Sequence, residues 1–207
     1  MIEDIVNNNG FEYVDLGLPS RTLWATMNIG ASKLSDPGLY FQWGDTVGYR
    51  EDQVGRDKQF TWKDYKWNPS GDDDERTFTK YTNLGDILEP KDDAAHIHMK
   101  GSWHMPTSKQ ILELINNTTN DWITFDGVDG RLFTSKKDKS KIIFIPISGA
   151  AVIDLILNSR NLGYIWSSML SVSHIECSQY LGTYSDGAEL SILGYRYDGR
   201  PIRGVIG

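Results

Sequence analysis

The sequence predicts a single α+β domain built from short antiparallel strands and few helices. The chain of 207 residues contains 20 Gly, 7 Trp, 10 Tyr and 7 Phe, a composition typical of turn-rich β or α+β proteins rather than helical bundles. One amphipathic segment carries a complete helix-start signal, and short apolar runs alternate with turn residues in the carboxyl-terminal half. The length suits one domain that buries a core without disulfides or metal.

The first strands are predicted close to the amino terminus. Apolar and polar residues alternate over 11–16 and the turn-forming residues 17–20 follow, so we expect a strand that pairs with residues 22–29 in a hairpin. Residues 38–44 form an aromatic run with glycine at both ends. That pattern predicts a short buried strand close to another backbone.

A long polar segment, residues 45–92, is predicted to be an ordered loop. Aromatic residues that can pin it to a core recur along it: Trp62, Tyr65, Trp67, Phe78 and Tyr81. Its acidic run 72–75 is interpreted as a solvated turn, because it lacks the alternating ligands and the distal bidentate Glu of a calcium loop.

The clearest helix begins after Thr107. Thr107 and Gln110 form a capping-box pattern behind Pro106. An apolar face follows at Ile111, Leu112, Leu114 and Ile115. We expect this helix to end between residues 116 and 119, and residues 92–96 predict another short helix or turn.

The remaining chain predicts an antiparallel meander. Turn signals at 126–127, 186–187 and 198–199 and a basic turn at 135–140 separate apolar runs. The expected strands cover residues 122–125, 130–134, 141–147, 163–168, 176–184, 188–193 and 200–206.

Charge and hydropathy argue against two kinds of partner. The formal net charge of −7 disfavours unspecific binding to nucleic acid or an anionic membrane, and no apolar run has the length of a membrane span. Residues 1–10 lack the features of a secretory signal, so a chain that acts outside its producing cell is expected to leave by lysis, by a dedicated apparatus or as part of a particle. The alternative is a mature fragment given a new Met. We interpret residues 1–10 as an arm for attachment or oligomerisation and residues 11–207 as the folded domain.

Catalytic and metal chemistry finds little support in the residue pattern. Cys177 is the one cysteine, so we expect no intramolecular disulfide and no cysteine-based zinc site. We interpret it as a small buried apolar side chain, with a reactive thiol as the alternative. His96, His98 and His104 are the one candidate metal cluster, because a His-x-His pair on a strand places two imidazoles on one side. The alternative is that these histidines are structural or face the solvent, and we predict no bound metal and no cofactor. We also predict no catalytic residue, because the sequence contains no Gly-x-Ser-x-Gly nucleophile elbow.

Ten short blocks of the chain occur in the order of one known family. They are YVDLGLPS at 13–20, LWAT at 23–26, NIGA at 28–31, YFQWG at 40–44, DDAAH at 92–96, GSWHMPT at 101–107, DGVDG at 126–130, IFIP at 143–146, GYIWSS at 163–168 and RPIR at 200–203. Through these blocks residues 11–206 resemble the FISUMP family, the "major paralogous domain" common in gut anaerobic bacteria. Two departures are His104, where members often have Arg, and the missing lipoprotein or secretory signal.

The resemblance implies a C-type-lectin-like fold, with two small antiparallel sheets, one or two helices and a long loop region that carries binding. Related domains occur in bacterial surface proteins, in phage fibres and other virion decorations, and in the variable proteins of diversity-generating retroelements. The superfamily also contains formylglycine-generating enzymes. Those enzymes need a cysteine pair or cysteine ligands, and this chain has only Cys177, so we expect no enzyme.

The expected function is therefore binding or display. We predict a phage or prophage virion protein, a head or tail fibre or decoration, that recognises a host surface glycan or protein. It is expected to contact other virion proteins and to form a homo-oligomer such as a trimer. A bacterial cell-surface adhesin or pilus-tip module is one alternative, and a purely structural assembly subunit is another.

Sugar binding is expected on aromatic rings and not through calcium. Residues 89–91 and 120–122 do not supply the two triplets that a calcium-dependent lectin site requires. The candidate ligand-binding rings, for which core packing is the alternative, are Trp62, Trp67, Tyr180, Tyr184, Tyr195 and Tyr197.

Other residues are predicted to hold the scaffold. Trp103 and Trp166 stand among Gly, Ser and Pro, which is typical of an aromatic anchor in irregular backbone. Arg196, Arg200 and Arg203 are expected to pin the terminal strand through carboxylates or carbonyls, with Arg203 as the main anchor. A phosphate or acidic-glycan site on these arginines is the alternative.

Overall fold

A computed structural model describes residues 6–72, 76–158 and 161–207. Within these ranges the chain forms small antiparallel sheets and two α-helices, which confirms the predicted α+β class. The predicted arm falls partly outside the described residues, since these begin at residue 6. Most of the acidic run 72–75 also lies outside them.

The first sheet brings the two ends of the described chain together. Its strands, in the order in which they pair, are β1 (Val6–Asn8), β2 (Phe11–Asp15), β3 (Leu23–Ala25) and β12 (Val205–Ile206). The β2–β3 hairpin was predicted, but β1 was not. Asn9 and Gly10 both have positive φ (55° and 86°), the backbone of a tight hairpin turn, so the predicted boundary at residue 11 falls inside the β1–β2 hairpin.

The second sheet is the predicted meander that follows the main helix. Helix α2 (Ser108–Asn117) begins at the expected capping box, in which Thr107 Oγ1 accepts from the Gln110 N–H at 3.3 Å. The chain then continues directly into β4, and the sheet has the order β4 (Thr118–Phe125), β5 (Val128–Ser135) and β6 (Ile142–Pro146).

The third sheet carries the candidate site. It has the order β11 (Gly187–Tyr195), β10 (Cys177–Tyr184) and β9 (Gly163–Leu170). A bulge interrupts β10 between Ser178 and Tyr180. A separate hairpin, β7 (Ala150–Val152) with β8 (Leu155–Leu157), was not predicted from the sequence.

Two predicted strands are wrong in their extent. Residues 38–44 make only single bridges, from Tyr40 to Tyr49 and from Phe41 to Arg200, because consecutive residues pair with different segments. The strand expected at 200–206 is reduced to β12, since Pro201 offers no N–H to a ladder.

The short helix predicted near residues 92–96 is α1 (Ala94–Met99), whose first turn is capped by Asp93.

Two large apolar clusters form the core. One lies between α2 and the sheets and contains Trp24, Ile111, Leu114, Phe133 and Ile165. The other is dominated by aromatic rings and contains three of the four fully buried tryptophans, Trp43, Trp103 and Trp166. The loop of residues 45–92 packs its Trp62, Tyr65, Trp67 and Tyr81 into this second cluster, as expected for an ordered loop.

Candidate functional site

The predicted tryptophan anchors lie in the core and join distant segments. Trp103 donates its Nε1–H to the carbonyl of Asn8 at 3.1 Å, and Trp166 donates to that of Phe41 at 2.8 Å. A buried indole N–H needs a hydrogen-bond partner, so each ring fixes the backbone segment whose carbonyl accepts its hydrogen bond. Neither tryptophan is available to a ligand, since both side chains are fully buried.

Arg196 ties the end of β11 to the long loop. Its fully buried guanidinium donates to the Tyr65 hydroxyl at 2.8 Å and to the carbonyls of Lys80 at 3.0 Å and Tyr81 at 3.2 Å. The guanidinium carbon also lies 4.4 Å from the ring centroid of Phe78. The loop therefore cannot leave this end of β11 without unpairing a buried charge, which is costly.

The residues on either side of Arg196 form the candidate site. Tyr195 and Tyr197 are stacked, with ring centroids 5.6 Å apart and an interplanar angle of 11°. Trp62 meets Tyr197 edge to face at 4.8 Å, and the Arg76 guanidinium carbon lies 5.2 Å from a Trp62 ring centroid. We call Trp62, Arg76, Tyr195 and Tyr197 the aromatic ledge. Tyr195 is the most exposed ring of the ledge, at 45 %, whereas Trp62 is 5 % exposed and packs against the two tyrosines from the core side.

The other candidate rings lie apart from the ledge. Trp67 is buried against Tyr81 at 5.0 Å, and Lys66 Nζ covers its ring at 4.1 Å. Tyr184 stands beside the β10–β11 turn, where its carbonyl accepts from Arg131. Of the six predicted rings the fold thus brings Trp62, Tyr195 and Tyr197 together and separates Trp67, Tyr180 and Tyr184.

Tyr180 belongs to an aromatic box that encloses Arg200. The guanidinium carbon lies 4.3 Å from the Tyr180 ring, 4.5 Å from Trp166 and 5.0 Å from Tyr164. Arg200 also donates to Asp198 at 3.0 Å, and both side chains are buried. Burial raises the pKa of Asp198 to about 6, against the opposing effect of the Arg200 charge.

Arg203 is the buried anchor of the terminal segment. Its Nε–H donates to Asn28 Oδ1 at 2.8 Å, and full burial lowers its pKa to about 9. Arg196, Arg200 and Arg203 are all buried, so a phosphate or an acidic glycan in solution does not reach their guanidinium groups.

The histidines do not form the arrangement expected of a metal site. His96 and His98 lie on helix α1, so the strand assumed for this pair is wrong. Each ring meets a backbone carbonyl, His96 that of Trp103 at 3.2 Å and His98 that of Thr46 at 2.8 Å. His104 contacts the carbonyl of Met105 at 2.9 Å, and the described residues contain no cluster of three metal-ligating side chains.

No family model matches the chain, and neither a curated protein nor a solved structure is significantly similar to it.

The structure also bears on the reactivity of the cysteine and on membrane-spanning helices. The Cys177 thiol is buried, and burial raises its pKa to about 12, so it remains a protonated, weakly nucleophilic group at neutral pH. Among the described residues, every helix is too short or too polar to cross a membrane.

One member of the aromatic ledge, Arg76, and the support that Arg196 gives to the ledge were not predicted from the sequence. Arg76 stands in a polar segment without periodicity, and nothing in the sequence places it over Trp62. The alternation of Tyr195, Arg196 and Tyr197 was a usable signal, because neighbours on an extended chain point to opposite sides. Read in that way, it predicts an inward arginine between two outward tyrosines.

Proposed function

We propose that this chain is a non-enzymatic binding and display domain that recognises a host surface glycan or protein through the aromatic ledge. The observation that carries the proposal is the half-exposed ring of Tyr195, stacked on Tyr197. The C–H face of a sugar ring is apolar and packs on an open aromatic face, while the tyrosine hydroxyl bonds to sugar hydroxyls.

The ledge is pre-organised, which favours binding. Tyr195 stacks on Tyr197 and makes a T-shaped contact with Trp62 at a centroid distance of 6.3 Å, and Arg196 fixes the backbone between the two tyrosines. A ring that is already ordered loses little conformational entropy when a ligand covers it. Arg76, beside Trp62, adds a donor for polar groups of the same ligand.

The fold proposed for the domain is C-type-lectin-like, with membership of the FISUMP family. The support is the resemblance over residues 11–206 together with small antiparallel sheets, two helices and a long loop pinned by aromatic rings. On this basis the chain acts as a phage or prophage virion protein, in a fibre or decoration, and assembles as a homo-oligomer such as a trimer. A bacterial surface adhesin would use the same ledge on a different carrier.

A second candidate function, that of a structural assembly subunit, is favoured by one observation. The β7–β8 hairpin exposes Leu155 at 60 % and Leu157 at 44 %, on the same side of β8. Neighbouring exposed apolar side chains are typical of contact surfaces. Light scattering on the wild type and on a Leu155→Ser/Leu157→Ser variant tests it: an oligomer that dissociates in the variant supports assembly, and an unchanged mass argues against it.

The direct test of recognition is a screen of glycans and host surface extracts. The wild type and Tyr195→Ala are applied in parallel, with thermal melting as a control of folding. Binding by the wild type that is lost in the folded variant supports the ledge. If the wild type binds no glycan or surface protein, the proposed function is wrong. If Tyr195→Ala binds equally well, the site lies elsewhere.

A further inference from the structure

We infer that a second site, which takes a sugar bearing a carboxylate, lies in the cleft between β2 and the turn that joins β5 to β6. The cleft has a volume of about 370 Å³, within the range of about 300–1,000 Å³ usual for small-molecule sites. We call it the lysine cleft, and its lining residues are Tyr13, Asp15, Gly17, Ser135, Lys137, Asp138 and Lys141. It shares no residue with the aromatic ledge.

The walls of the lysine cleft are fixed by hydrogen bonds. The buried Ser135 hydroxyl donates to the carbonyl of Leu16 at 2.7 Å and accepts from the N–H groups of Lys137 at 3.1 Å and Asp138 at 3.2 Å. One hydroxyl thus ties the turn to the end of β2. The turn is closed by the Lys141 N–H, which donates to the Asp138 carbonyl at 3.0 Å.

Neither lysine of the cleft forms an ion pair with a carboxylate of the described residues. Among the described residues, neither Lys137 nor Lys141 forms a salt bridge within 4.0 Å. The aliphatic part of Lys137 crosses Gly17 so closely that a Cβ at that position would lie 2.8 Å from Lys137 Cδ. A glycine here, with φ of +67°, therefore makes room for the side chain. Two unpaired ammonium groups at one cleft of a chain with net charge −7 favour an anionic ligand.

The cleft also contains hydrogen-bond acceptors, which an anion without hydroxyl groups cannot use. Asp15 Oδ1 accepts from the Gly17 N–H at 2.7 Å, and Asp138 Oδ1 accepts from the Ser140 N–H at 2.9 Å. No hydrogen bond from the described residues reaches the second oxygen of either carboxylate. The Ser140 hydrogen bonds and the Lys141 charge lower the pKa of Asp138, so its carboxylate is ionised and accepts from ligand hydroxyls.

Tyr13 supplies an aromatic wall to the same cleft. Its ring is half-buried and meets Trp103 edge to face at 6.3 Å, which holds it in place. The lysines, the aspartates and the tyrosine ring together determine which ligand fits the cleft. Unpaired ammonium groups need an anion, carboxylate oxygens need hydroxyl donors, and an aromatic wall suits an apolar ring face. A uronic acid residue carries all three, whereas a neutral hexose leaves the lysines without an anion and an inorganic anion offers no hydroxyl donor to the two aspartates and no apolar face to Tyr13.

Calorimetric titration with methyl glucuronide, methyl glucoside and sodium sulfate tests the assignment. We expect the glucuronide to bind about tenfold or more tightly than the glucoside, because only the former pairs with the lysines. A Lys137→Ala/Lys141→Ala variant is expected to lose about tenfold or more in affinity for the glucuronide. The matched control is Lys139→Ala, an exposed lysine of the same turn that does not line the cleft, and it should bind like the wild type.

Three results would overturn the assignment: no saturable glucuronide binding, equal affinity for glucoside and glucuronide, or sulfate binding as tight as that of the glucuronide. An unchanged affinity in the folded double lysine variant would do the same. Lys137 is exposed and Lys141 is half-buried, and neither belongs to the core, so their replacement is not expected to unfold the chain; thermal melting checks this. Tyr195→Ala should leave glucuronide binding intact, so a failure at the lysine cleft is distinguishable from a failure at the aromatic ledge.

Discussion

Arg196 donates its Nε–H to the hydroxyl of Tyr65 over 2.8 Å, in an interior where both side chains are buried. Burial raises the pKa of Tyr65, so its hydroxyl stays protonated and donates in turn to the Trp43 carbonyl at 3.1 Å. This chain of hydrogen bonds runs from the end of β11 into the long loop and the aromatic core. Because the same loop supplies Trp62, the Arg196–Tyr65 pair positions the aromatic ledge.

Replacement of Arg196 by Ala is expected to destabilise the domain by about 3 kcal/mol or more, since it leaves the Tyr65 hydroxyl and buried carbonyls without their donor. Urea unfolding measures the loss. The matched control is Arg76→Ala, which removes an exposed guanidinium from Trp62 and should cost at most about 1 kcal/mol. Equal stability of the two variants would contradict the anchoring role of Arg196.

Gly194 is expected to tolerate no side chain. A Cβ there would lie 2.6 Å from Arg200 Nη1 and 2.8 Å from Trp166 Cζ3, so Gly194→Ala should push into the aromatic box and cost about 1–3 kcal/mol. Gly182→Ala in β10 is the control, because its nearest neighbour would be an ordinary contact at 3.4 Å from Tyr180. We expect it to remain within about 1 kcal/mol of the wild type. A Gly194→Ala protein as stable as Gly182→Ala would show that the box is not tightly packed.

Asp198 is expected to give the domain a specific pH dependence. Its pKa is raised from 3.8 to about 6 on folding, so the folded state binds the proton more tightly than the unfolded state. The stability contributed by this group is therefore full below about pH 4 and declines as the pH rises to about 6, by about 3 kcal/mol in all. Asp198→Asn cannot ionise and lacks this decline.

Urea unfolding of the wild type and Asp198→Asn at several values between about pH 4 and pH 7 measures the effect. Loss of the Arg200 ion pair adds an offset between the two proteins, so the slope of the difference with pH is the quantity of interest. The variant should gain stability relative to the wild type as the pH rises. A constant difference, or one of opposite slope, would contradict the raised pKa.

Local signals explain which elements the sequence predicts well. The capping box of Thr107 and Gln110 locates the start of α2, and alternation with an Asp126–Gly127 turn locates the β4–β5 hairpin. The β7–β8 hairpin was missed because its turn contains Ile153 at φ 59°, and a β-branched residue is not a signal for that backbone. The aromatic run of residues 38–44 has the pattern of a strand, but it does not reveal that Phe41 pairs with Arg200, far away in the chain.

The candidate site was predictable only in part. Tyr195 and Tyr197 stand two residues apart in the sequence, so a shared direction follows from extended backbone. Their contact with Trp62 depends on how the long loop returns to the end of β11, which is decided by tertiary hydrogen bonds of Arg196. The lysine cleft was missed for the same reason: residues 135–140 were recognised as a basic turn, but not as the wall opposite Tyr13 and Asp15.

The measurement that tests the central claim most directly is the affinity of a glycan found in the screen for three variants of the ledge strand. Tyr195→Phe retains the ring and should bind within about threefold of the wild type, whereas Tyr195→Ala should bind about tenfold or more weakly. Leu193→Ala is the matched control, two residues earlier on β11 and 56 % exposed, and its affinity should be that of the wild type. Wild-type affinity in folded Tyr195→Ala, or an equal loss in Leu193→Ala, would contradict recognition through the aromatic ledge.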